Sequence, residues 1–136
     1  MVEITNSFEL DYLPIDNDHK VLVEMLNELL ELIDHHECRG CDTKVPEFID
    51  FAKKHFVREE AILKKIGYPE AENHGKYHKE LNGRMDQMVE LSKAAATNKL
   101  ASENLRKELV FFVMDDVINA DLEFKEYLGT DTSTQK

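Results

Sequence analysis

The chain has 136 residues, enough for one domain with a substantial core and too few for two ordinary ones. Apolar residues make up 42% and charged residues 33%, which excludes a disordered chain, and a formal net charge of -11 argues against nucleic acid and anionic membranes as partners. No stretch approaches the roughly eighteen apolar residues of a membrane span. The start "MVEITNSFEL" lacks the basic and apolar pattern of a secretory signal, so the cytoplasm is the expected compartment.

Helical periodicity appears in four segments. The first runs from about Asp16 to Glu37, with Leu22, Leu26, Leu29 and Ile33 at alternating steps of four and three. His19 extends that stripe by one step, and Asp16 or Asn17 is the expected cap. "CRGCDTKVP" breaks the pattern, and Thr43 or Asp42 is the expected cap of a second helix. Its stripe reads Phe48, Ala52, His55, Glu59, Ile62, Ile66, with Gly67 as the stop. His55 and Glu59 are thus assigned to the core face.

The third stripe is His74, His78, Leu81, Met85, Met88, followed by Leu91. The fourth helix is expected from about Glu103 to Tyr127, with Leu109, Val113, Val117, Ala120 and Phe124 inward. Four such helices with short connections predict an all-α, up-down-up-down antiparallel four-helix bundle. Residues 1–130 are expected to form its single domain and 131–136 a disordered polar tail.

Burying His, Glu or Asp without partners is costly, so a cluster at core register requires a reason. The candidates are His19, His55 with Glu59, His74 with His78, and Asp116 with Asp121. The two pairs spaced i,i+4 each share a helix face. Asp116 and Asp121 are five apart, about 140° around an α-helix, and so flank their stripe. His19 begins helix one, His55 and Glu59 come late in helix two, His74 and His78 open helix three, and the aspartates come late in helix four. In an up-down bundle those positions share one end. Imidazole and carboxylate together suit iron, manganese or zinc. A lone histidine at core register is more often a hydrogen-bonded core residue than a ligand, but seven polar residues at one level from four helices make that bland reading untenable. The Glu-x-x-His spacing of ferritin-type diiron bundles is missing at these positions.

"IDNDHKVLVEMLNELLE", "HFVREEAILKKIGYPEAENHGKYHKEL" and, less well, "FFVMDDVINADLEFKEYL" resemble the bacterial hemerythrins over nearly the whole chain. The resemblance implies a non-haem diiron site that binds dioxygen for storage, delivery or sensing. One iron would carry His19 and His55, the other His74 and His78, with Glu59 and Asp121 bridging. Oxo or hydroxo bridging would accompany the carboxylates. In that family a further histidine stands five residues before the bridging aspartate; here the position is Asp116, and the usual tryptophan one turn earlier is Phe112. Asp116 as a ligand could chelate, bridge or give way to water, and its charge would lower the reduction potential. Such a site could instead serve an oxidase or peroxidase consuming oxygen or peroxide, or an iron-binding protein without reversible oxygen carriage. Phe56, Val113 and Val117 are the candidates for the apolar oxygen-pocket wall.

"CRGC" is a CxxC outside any βαβ pattern, and no structural disulfide framework is expected from two cysteines. Met85 and Met88 read as core filler.

Overall fold

The computed structural model describes residues 2–3 and 8–128. The tail expected at 131–136 lies outside the described residues. Among the described residues six α-helical segments make four rods: α1 (Leu13–Asp34), α2 (Cys41–Lys65), α3 with α4 (Ala71–Glu80, Asn82–Ala94), and α5 (Lys99–Phe111), which continues through irregular helix to α6 (Lys125–Leu128). α1 packs on α2 and α5, α2 on α3 and α4, and α4 on α5, which closes the ring of an all-α four-helix bundle. No helix among the described residues is long and apolar enough to cross a membrane.

The stripes bury largely as their spacing requires. Leu22, Leu26, Leu29 and Ile33 of α1, Phe48 and Ala52 of α2, and Met85 and Met88 of α4 lie in the core. Late in α2 the buried line moves from the expected Ile62 and Ile66 to Leu63, because 3.6 residues per turn drift against a strict four-three pattern. The apolar residues form two clusters. The larger one fills most of the bundle, and a smaller one of Leu10, Tyr12, Ile15, Leu63, Tyr68, Phe124 and Leu128 closes one end.

Helix starts differ from those read in the sequence. α1 begins at Leu13 behind Tyr12, with Pro14 in its first turn. Asp16 instead turns back on the incoming strand of chain, accepting from the backbone N–H of Leu10 (2.9 Å) and Tyr12 (3.2 Å). α2 begins at Cys41 without a side-chain cap, so Asp42 and Thr43 lie inside it. α5 begins at Lys99, four residues before the expected start, where the Asn98 side chain accepts from Ala101 N–H at 3.1 Å. Gly67 does end α2: its φ of 72° permits the return bonds Gly67 N–H to Lys64 and Tyr68 N–H to Leu63.

Two rods are interrupted. At Leu81 the N–H is shared between the carbonyls of Tyr77 and His78, both at 3.2 Å, and α3 passes into α4. After α5 the backbone widens into a π-helix over Phe112–Asn119, tightens to a 3-10 turn at Leu122–Phe124, and resumes as α6. The rotation of about 100° per residue assumed for Asp116 and Asp121 therefore does not hold, since a π turn joins residues i and i+5.

Candidate metal centre

Six residues from all four rods converge between the two apolar clusters. His19 comes from α1, His55 and Glu59 from α2, His74 and His78 from α3, and Asp121 from the turn after the π-helix. Every one is buried. Phe56 of the large cluster stacks on His78 with ring centroids 4.0 Å apart, and Phe124 of the end cluster meets His74 edge-on at 5.2 Å. These rings pack against the two imidazoles.

Two carboxylates stand at the middle. Asp121 Oδ2 lies 2.8 Å from His19 Nε2 and 3.4 Å from His55 Nε2, while its Oδ1 lies 3.3 Å from His74 Nε2. Glu59 Oε1 lies 2.6 Å from His74 Nε2 and 3.2 Å from His78 Nε2, and Oε2 is 2.8 Å from His55 Nε2. The donor atoms fall into two groups, each within 4.8 Å: His19, His55, Glu59 and Asp121, and Glu59, His74, His78 and Asp121. Both groups use the same two carboxylates.

Outside this ring stand acids that the sequence reading passed over. His55 Nδ1 is 2.9 Å from Asp18 Oδ2, and Asp18 is held in turn by a two-pronged bond from Arg58 (3.0 and 2.9 Å). His78 Nδ1 is 3.0 Å from Glu60 Oε2. A carboxylate behind a ligating imidazole fixes its tautomer and leaves Nε2 free for a cation. Their sequence signal is adjacency: Asp18 precedes His19, and Glu60 follows Glu59.

The proton inventory shows that the ring suits a cation. Burial alone would strip the proton from His55, but hydrogen bonds with Asp121, Asp18 and Glu59 hold its pKa well above the ordinary imidazole value. His74 behaves alike: burial opposes its charge, yet Asp121 and Glu59 raise it to about 9. For Glu59, burial favours the neutral acid, but contacts with Asp121, His55, His74 and His78 keep the carboxyl well below its usual range. Without metal, protons bind the ring together. A metal ion bound by neutral imidazoles displaces those protons. His19 Nδ1, buried and without a hydrogen-bond partner, leaves that ring with Nε2 as its one engaged atom. Imidazole and carboxylate donors without thiolate fit iron.

Asp116, expected as a seventh ligand, lies outside both groups. Its Oδ2 meets Arg84 Nε at 2.8 Å, and Arg84 also donates to Glu108 at 2.8 Å. The backbone carbonyl of Asp116 accepts from the Tyr77 hydroxyl at 2.7 Å. The Asp116 carboxylate is thus paired with the Arg84 guanidinium. Val113 and Val117 are buried in the large cluster, and Phe56 lies between His55 and His78. Phe112, fully buried, contacts Phe56 edge-on. A cleft of about 430 Å³, lined by residues including Tyr68, Asn73, Tyr77 and Asn119, reaches His74 from outside.

The family model described as "Hemerythrin HHE cation binding domain" matches residues 13–120. The bacteriohemerythrin of Campylobacter jejuni is 24% identical over 115 residues, covering 83% of this chain and 84% of that protein. The bacteriohemerythrin of Pseudomonas aeruginosa is 34% identical over 64 residues, and that of Stenotrophomonas maltophilia is 30% identical over the same length. Those two matches cover 47% of this chain, and the chain spans less than half of either relative, 42% of its length.

Proposed function

Because this chain belongs to the hemerythrin family, we propose that it is a diiron protein that binds dioxygen inside its four-helix bundle. The observation that carries this reading is the sharing of Glu59 and Asp121 by two groups of donors. Two separate mononuclear sites would not place both carboxylates between all four imidazoles. In this reading His19 and His55 would hold one iron and His74 and His78 the other, with Glu59 and Asp121 within reach of both. When bound, a ferrous pair would supply two electrons for chemistry with dioxygen.

The rest is the work of the chain. Asp18 and Glu60 accept the Nδ1 protons of His55 and His78, keeping each Nε2 lone pair on the ring. Each of the two donor groups offers two imidazoles and the two shared carboxylates. Phe56 closes the ring on the side of the large cluster, and Val113 and Val117 are proposed as further walls of the oxygen pocket. An apolar wall excludes water and slows proton delivery to the ring.

The test is the visible spectrum of anaerobically reduced, iron-loaded protein before oxygen, with oxygen and after its removal. A visible band that appears with oxygen and reverses supports carriage or sensing. Irreversible conversion to a plain ferric spectrum would move an oxidase or peroxidase role ahead. Failure to retain iron at all would overturn both.

A further inference from the structure

At the end of the bundle away from the metal centre, the α1–α2 connection carries the second chemical feature of the chain. Cys38 and Cys41 are joined by a disulfide, with Cα atoms 5.0 Å apart. Cys38 lies in the single 3-10 turn Cys38–Gly40, and Cys41 is the first residue of the 25-residue helix α2. The two sulfurs are not equivalent. Both belong to the large apolar cluster, but Cys41 is 0% exposed, beside Val45 and Phe48 of its own helix. Cys38 is 5% exposed and lines a cleft of about 250 Å³ together with His36, Ala95, Thr97, Asn98 and Lys99.

From this arrangement we propose that Cys38–Cys41 is a thiol–disulfide exchange site whose substrates are small thiols and dithiols entering by the Cys38 cleft. The incoming thiolate attacks Cys38 Sγ, because Cys38 lines the cleft and Cys41 does not. A new S–S bond forms to Cys38 as the Cys38–Cys41 bond breaks, and Cys41 leaves with the electron pair as a thiolate. That thiolate forms at the first position of a long helix, where the backbone N–H groups have no side-chain cap and the helix dipole favours negative charge. Its apolar burial and Asp42, in the same turn, oppose it, and Lys99 in the cleft favours the incoming anion. A second thiol then attacks the external sulfur of the mixed disulfide and releases the oxidised small molecule. Cys38 is left as a thiolate, and each cysteine takes up one proton. Two electrons and two protons enter the protein for each disulfide formed outside it. The two cysteines stand three positions apart in the sequence, so little chain must rearrange between the two states.

The test uses the full chain, folded and anaerobic, with glutathione as the probe. Redox buffers of reduced and oxidised glutathione are equilibrated with the protein, quenched in acid, and the free thiols counted by alkylation and mass spectrometry. The proposal expects both thiols to appear together along a two-electron curve while the far-ultraviolet helix signal is unchanged. Brief exposure to reduced glutathione should place the mixed disulfide on the Cys38 peptide. Oxidised glutathione should modify Cys38 in C41S at least about tenfold faster than Cys41 in C38S, the order that access to the thiolate imposes. Reduction only on unfolding, or a mixed disulfide found on Cys41 in the unmutated chain, would overturn the proposal even if either variant failed to fold.

Discussion

A methyl group added at Gly75 would stand 3.0 Å from Glu60 Oε1, while the other oxygen of that carboxylate meets His78. Gly75 therefore makes room for the acid that orients a donor imidazole. Gly75→Ala should gain helix propensity of up to about 1 kcal/mol but push Glu60 aside. Its iron affinity, from anaerobic competition titration, should fall by about 10-fold or more, the usual cost of losing such a partner. Asp18→Ala should do the same through His55, by about 10- to 100-fold, with helix content retained. Neither role was legible in the sequence. A stripe shows which residues face inward, so His55, Glu59, His74 and His78 could be picked out. The backing acids Asp18 and Glu60 sit at the edges of those stripes and look like ordinary surface charge. Asp116 shows the converse failure, since a position matched to a family motif gave no warning that Arg84 would claim its carboxylate.

Helix interruptions matter more than helix count at the next scale. The four rods were readable because apolar residues repeat at helical spacing, and Gly67 was readable as a stop because its turn needs a positive φ. The π-helix was not readable. Over "FFVMDDVI" the apolar residues are dense enough that a wider turn buries nearly the same set, so the pattern carries no trace of i+5 bonding. Yet that segment is what leads the chain to Asp121. The break at Leu81 was equally silent. Gly83, just beyond it, has nothing within 4 Å of an added methyl. Gly83→Ala should stabilise the metal-free protein by about 0.5–1 kcal/mol, read as a rise of a few degrees in thermal unfolding by circular dichroism. Gly67→Ala, at φ 72°, should lower the same midpoint.

Across the whole molecule, the ring ties folding to pH and to metal. His74 has a folded pKa of about 9 against an ordinary 6.5, so its stabilising contribution is complete below 6.5 and lost as pH rises through about 9. Glu59 is shifted the opposite way, so its contribution is present above 4.5 and lost as pH falls through its depressed folded value. Urea unfolding of metal-free protein should show stability declining between pH 6.5 and about 9. In the metal-loaded protein that alkaline decline should be reduced, because the imidazoles are already neutral ligands. Metal binding at neutral pH should release protons, measurable as buffer-dependent heat in titration calorimetry.

The most direct test of the shared-carboxylate centre is iron per chain, measured with protein concentration on the same anaerobically loaded and desalted sample, for the natural chain and for Glu59→Ala and His78→Ala. Two irons in the natural chain, with loss from both variants, is the predicted result, since Glu59 belongs to both donor groups and His78 to one. Retention of two irons in both variants, or a natural chain that saturates at one, would contradict the account.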